Sequence, residues 1–101
     1  MIVIRATLPL DPDRMDEVRD IVSDLAEASR AEDGVVDYQV AEDLETPGVL
    51  RIFEHYEDED ALAAHSEPDH LAAFQAELPD LLVGQPELMQ YDVTSVEPIE
   101  I

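Results

Sequence analysis

The chain reads as an α+β fold of the ferredoxin-like kind, a four-stranded antiparallel sheet with helices on one face. Three observations predict it. The hydrophobic period switches between two and 3.6 along the sequence in the order β-α-β-β-α-β. A long amphipathic stretch separates the first strand pattern from the second. Turn chemistry at Glu45-Thr46-Pro47-Gly48 joins the two middle strand patterns as a hairpin. At 101 residues the chain is sized for one domain, 1–101, with a single core that gains from association.

Residues 2–8 alternate and are rich in β-branched side chains, which predicts the first strand, ended by Pro9. Asp11 before Pro12 is a helix start, a capping side chain followed by a first-turn proline. Met15, Val18, Ile21, Val22, Leu25 and Ala28 then recur three and four apart, and Gly34 closes that helix. Val35 to Ala41 is the second strand, and Val49 to Tyr56 returns as the third. Asp58 caps a short helix carrying Ala61, Leu62 and His65. Ser66-Glu67-Pro68 interrupts it, because Pro68 disfavours helix at the preceding residue. A further helix from about Pro68 places Leu71, Phe74, Leu78 and Leu82 on one face, with Pro79 as a kink or fraying point. Glu87 to Val96 is the fourth strand, before a fraying acidic tail.

Strand parity predicts a second contact. Ile2, Ile4, Ala6 and Leu8 share one face of the first strand, yet Val3 is apolar on the other. Leu50, Ile52 and Tyr56 alternate with Arg51, Phe53 and His55. A sheet with water on one side alternates more cleanly. A partner sheet in a homodimer is the simplest cover, with His55 on that face and Arg5 pairing there with an acid.

Composition excludes several classes. Twenty-six acidic residues face five arginines and no lysine, for a formal charge of −21. A nucleic-acid surface needs a basic stripe, so no nucleic-acid partner is expected. No cysteine is present, which removes disulfides and thiolate metal sites. No apolar run approaches the roughly 18–20 residues of a membrane span, and the N-terminus lacks a signal-peptide pattern. A soluble, cytoplasmic protein is expected. The acids are evenly spread and 46% of residues are hydrophobic, so a core is expected and disorder is not. The balance resembles that of proteins from salt-loving archaea, in which high salt screens self-repulsion.

Residues 53–74 hold all three histidines, His55, His65 and His70, beside Glu54 and Tyr56. Histidine is the side chain most easily poised to move protons near neutral pH, so chemistry is sought at this strand–helix junction. Metal ligation fits less well. His65 and His70 are five apart, about 140° round a continuous helix, and spacing shows no third ligand.

The ordered set Glu54, Tyr56, Asp58, Ala61, Leu62, His65, His70 and Phe74, with Gly34 to Tyr38 upstream, resembles the antibiotic biosynthesis monooxygenase family. The resemblance implies a dimeric α/β-barrel built on this fold and a pocket between sheet and helices. It also implies cofactor-free oxygenation of quinols or anthrones by O2. Haem-degrading relatives use an Asn–Trp–His set, and this chain has neither Asn nor Trp. On this reading His65, three after Leu62 and on its buried face, is the base; a core or capping histidine is the alternative. Glu54 shares parity with Ile52 and supports catalysis or fixes the hairpin by a salt bridge or a hydrogen bond. His70 orients His65 or the ligand, or caps the surface. Tyr56, Leu62, Leu71 and Phe74 are the substrate-binding candidates. Two rivals stand beside the oxygenase: an isomerase or detoxifying enzyme for a small carbonyl compound, and a non-catalytic ligand-binding dimer.

Overall fold

The computed structural model describes residues 1–65 and 69–101. Strand β1 (Ile2–Pro9) is followed by a 3-10 turn (Pro12–Arg14) and helix α1 (Met15–Arg30). Strands β2 (Val35–Glu42) and β3 (Val49–Tyr56) form the hairpin. Helices α2 (Glu59–His65) and α3 (Asp69–Leu81) precede strand β4 (Glu87–Asp92). The sheet is antiparallel in the order β2-β3-β1-β4, the ferredoxin-like arrangement. The expected break at Ser66-Glu67-Pro68 lies outside the described residues.

The core forms where the inward parity of the sheet meets the helices. Ala6, Leu8, Leu50 and Ile52 pack with Val18, Val22 and Leu25 of α1 and with Phe74 and Leu81 of α3. A smaller cluster of Ile2, Ile4, Tyr56 and Ala61 continues it towards α2.

Several boundaries differ from the sequence expectation; β2 runs one residue further, to Glu42. β1 runs through Pro9, which lacks an N–H but still uses its carbonyl, accepting from Val83 N at 2.9 Å. Asp11 caps the 3-10 turn, accepting from Asp13 N at 2.9 Å, and the α-helix begins only at Met15. Helix α3 continues past Pro79 to Leu81, leaving Leu82 just beyond it. β4 ends at Asp92, not Val96. Its ladder with β1 runs from Thr7–Glu87 to Ile2–Asp92, and beyond it Val93 N donates to Met1 O at 2.9 Å.

One irregularity positions the site. The β2–β3 register shifts between Val35 and Asp37, so Val36 is an extra residue and is 53% exposed. This bulge lets Val35 and Tyr38, three apart, both face the helices.

The outer sheet face keeps large apolar side chains in solvent: Phe53, Met89 and Tyr91 are each at least 40% exposed. Arg5 lies over the Tyr91 ring, 5.9 Å from its centroid, and 3.6 Å from Glu87 of its own chain. His55, on this side by parity, is buried, with Nε2 3.4 Å from Met1 Sδ.

Candidate active site

A row across all four strands and two helix ends frame one polar cluster. One row across the sheet pairs Tyr38 with Glu54, Glu54 with Ile4, and Ile4 with Gln90. His65 descends on this row from the last turn of α2, whose start is fixed by Asp58 Oδ1 accepting from Ala61 N at 2.8 Å. The His65 ring lies between two tyrosines, with centroids of Tyr38 and Tyr56 each 5.5 Å away. Aromatic contact on both sides restricts the imidazole to one orientation.

That orientation is completed from the α1–β2 loop. His65 Nδ1 is 2.8 Å from Glu32 Oε2, and His70 Nε2 approaches the same oxygen at 3.3 Å. A carboxylate only accepts, so in the neutral imidazole the proton of the first bond sits on Nδ1 and Nε2 is the lone-pair nitrogen. Nε2 lies 3.8 Å from Glu54 Oε1, which accepts a hydrogen bond from the Tyr56 hydroxyl. The result is a chain of proton-carrying groups, Tyr56–Glu54–His65–Glu32–His70. It runs from a fully buried hydroxyl to a half-buried imidazole.

Glycine makes the Glu32 approach feasible. Gly34 has φ +82°, and a Cβ there would stand 2.5 Å from the Ala61 Cβ. Only a residue without a side chain brings the α1–β2 loop this close to α2.

Burial sets the electrostatics. It pushes the Glu54 carboxyl above the ordinary carboxylate range, against the opposing pull of the Tyr56 hydrogen bond and His65. Burial and then the Glu54 charge push the Tyr38 hydroxyl up. Burial, followed by its bond to Glu54, does the same to Tyr56. Both phenols therefore stay protonated; Tyr56 donates to Glu54, and Tyr38 lines the cavity between sheet and helices.

Glu54 and His65 open into a cavity of about 420 Å³ between sheet and helices. Ile4 and Ala6 floor it, Leu62, Leu71 and Phe74 wall it, and Gln75 and Gln90 add carboxamides. Among the substrate-binding candidates, Leu62, Leu71 and Phe74 line this space. Tyr56 does not; it is fully buried behind Glu54, because its inward position lies under Ala61 and Ile2. His70 also stays outside the cavity, joined to His65 through Glu32 and by a ring contact with centroids 6.4 Å apart.

Glu32 is the residue that sequence reasoning missed. It lies in a loop, outside any periodic pattern, and its partners are 33 and 38 positions away. The one available signal was the neighbouring Gly34. Tyr38 was legible only as part of a motif.

The class that fold and site define is a two-layer ferredoxin-like domain with a buried carboxylate–histidine chain facing an apolar cavity. Within it, the chain belongs to the antibiotic biosynthesis monooxygenase family, whose model matches residues 1–77. "Putative monooxygenase YcnE" of Bacillus subtilis is 27% identical over 94 residues, covering 93% of this chain and 99% of that protein. A Deinococcus radiodurans structure bearing the same family name superposes with a TM-score of 0.89 at 27% identity, over 99% of both chains. A conserved protein from Methanosarcina mazei Go1 matches with a TM-score of 0.83 at 29% identity, over 89% of both chains. Among the described residues no helix is long and apolar enough to cross a membrane.

Proposed function

We propose that this protein oxidises a small aromatic quinol or anthrone with O2, using His65 as the base and no metal or flavin for the oxidation. The carrying observation is the disposition of His65. Nδ1 is engaged by Glu32 at 2.8 Å, while Nε2 is directed to Glu54 and an apolar cavity.

The chemistry follows from that geometry. A phenol lying on Ile4 and Ala6 gives its proton to His65 Nε2, and the imidazolium is stabilised by Glu32. The electron-rich anion passes one electron to O2, and the radical pair combines at a ring carbon as a peroxide anion, which takes the proton back from the His65 imidazolium to become the hydroperoxide. Loss of water leaves a carbonyl, so one oxygen atom ends in product and the other in water. Apolar walls of Leu62, Leu71 and Phe74 exclude bulk water from the anion. Glu54, with its carboxyl held up by burial, lies beside the proton that His65 accepts.

The working unit in this reading is a homodimer in the cytoplasm, joined through the outer sheet face. Support comes from the exposed Phe53, Met89 and Tyr91, and from Arg5 and Arg51, two of only five cations, on the same face. Sedimentation in molar salt checks it: dimer is expected for the parent and monomer for Phe53→Glu.

Oxygen uptake with a panel of hydroquinones and anthrones, in molar salt and beside a buffer control, tests the reaction. His65→Ala is expected to lower protein-dependent uptake by about 100-fold or more, the usual worth of a positioned base. Uptake equal to buffer across the panel refutes the oxygenase. The Glu54–His65 pair would then favour proton shuttling on a small carbonyl compound without O2, or simple ligand binding.

A further inference from the structure

The Glu32–His65–His70 cluster lies on the far side of His65 from the cavity and has the makings of a second site. One atom from each residue, two imidazole nitrogens and a carboxylate oxygen, lies within 4.8 Å of the others. Ligand atoms about 2.0–2.1 Å from a tetrahedral ion stand roughly 3.4 Å apart. The measured separations from Glu32 Oε2, 2.8 Å to His65 and 3.3 Å to His70, need little adjustment to admit an ion.

We infer that Glu32, His65 and His70 bind a first-row transition-metal dication such as Zn2+ or Co2+. Two imidazoles and one carboxylate are a borderline donor set that suits these ions better than Ca2+ or Mg2+, which prefer oxygen alone. The surroundings supply the outer support that metal-bound histidines require. His65 carries Glu54 beside its other nitrogen, at 3.8 Å, and the rings of Tyr38 and Tyr56 fix its plane. Access is open on one side, since the side chains of His70 and Glu32 are 27% and 17% exposed while that of His65 is 6%. Three protein ligands leave a fourth position for water.

The ion and the oxidation compete for His65; this consequence rests on the proposed reaction. A metal on Nδ1 places the ring proton on Nε2, which then no longer accepts from substrate. Bound metal is therefore an inhibitor of that reaction and not its cofactor.

Titration of the full chain with Co2+ in molar KCl, followed by visible absorption, tests the site. High salt suppresses diffuse ion binding by the −21 surface. One equivalent of a saturable ligand-field band, bleached by Zn2+, is expected. Glu32→Gln and His70→Gln should each weaken binding at least about tenfold. Asp24→Asn, the same charge change on exposed α1 surface, should leave it within about twofold. Absence of a saturable band, or equal titration by all three variants, overturns the site. Should a variant lose its circular dichroism, X-ray absorption of the parent decides: two imidazoles and one carboxylate support it, an all-oxygen shell overturns it. Binding is read directly, so failed oxygen uptake leaves this result standing, and failed binding leaves the oxidation standing.

Discussion

Glu32 and His65, 33 positions apart, meet at 2.8 Å between a carboxylate oxygen and Nδ1. That contact sets which imidazole nitrogen faces the cavity, because the proton donated to Glu32 leaves Nε2 as the acceptor. Glu32 does not line the cavity, so its loss leaves substrate contacts intact. Glu32→Gln is expected to lower kcat on the order of 100-fold, the scale of a misplaced reacting group, with KM within about twofold. A rise in KM with unchanged kcat would assign Glu32 to binding instead.

Glu54 presents the opposite trade. Its carboxyl is buried and held above the ordinary range, so at neutral pH the folded state bears the cost of a poorly solvated charge. Glu54→Gln keeps an acceptor for the Tyr56 hydroxyl and removes that charge. Stability should rise by about 1 kcal/mol while turnover falls. Thermal unfolding and oxygen uptake on the same preparation check both halves; a lower Tm would show the charge to be well compensated.

Much of the fold was legible in the sequence because it depends on local period. Residues 2–8 and Val49 to Tyr56 alternate, and Met15 to Ala28 follow a helical stripe, so four strands and two helical regions follow without tertiary information. The inward parity of Glu54 and the buried face of His65 were legible for the same reason. What stayed hidden depends on contacts distant in sequence. The Val36 bulge is set by pairing with β3, the extent of β4 by its ladder with β1, and Glu32 by a loop approach that no period encodes. Tyr56, placed on the correct face, still missed the cavity because its depth under Ala61 is a packing outcome.

Gly34 is the position where fold and site are most tightly joined. Gly34→Ala places a side chain at positive φ, which costs about 1–3 kcal/mol, and drives its Cβ into Ala61 at 2.5 Å. Lower thermal stability is expected, together with loss of activity beyond it, because the loop carrying Glu32 must retreat from His65. Gly34→Ala with Ala61→Gly removes the clash but not the strained φ, so it should recover part of the activity. Full recovery would show that φ carries no cost here.

The β2–β3 turn gives a pH dependence with a definite sign. Asp43 accepts from the backbone of Glu45 and Thr46 at 2.8 and 2.9 Å and pairs with Arg51 at 2.9 Å. The backbone bonds, led by Glu45, and then Arg51 hold its carboxyl below the usual value of 3.8. A depressed carboxyl contributes stability that is present above the unfolded value and lost as pH falls through the folded one. Asp43→Asn should therefore flatten the acid limb of the stability curve below about pH 4, with little change in that slope near neutrality. An unchanged acid limb would place the titration elsewhere among the acids.

Net charge makes folding itself depend on salt. Among the described residues four of the five arginines pair with acids, such as Arg14 with Glu17 and Arg19 with Glu42, while Arg30 donates to the Tyr38 carbonyl, and the acids exceed the arginines by 21. At 0.1 M salt the screening length is about 10 Å, and repulsion acts beyond contacting charges. At 1 M it is about 3 Å, and only contacting charges interact. Exposed pairs add little on their own, so screening and not ion pairing decides the balance. The expectation is a Tm that climbs steadily with KCl and a loosened or unfolded circular dichroism spectrum after desalting. Replacing a set of exposed acids such as Asp20, Asp24 and Glu27 by glutamine or asparagine should shift the whole curve to lower salt. A native spectrum in salt-free buffer would mean that the core of Leu8, Leu25, Leu50 and Ile52 outweighs the repulsion unaided.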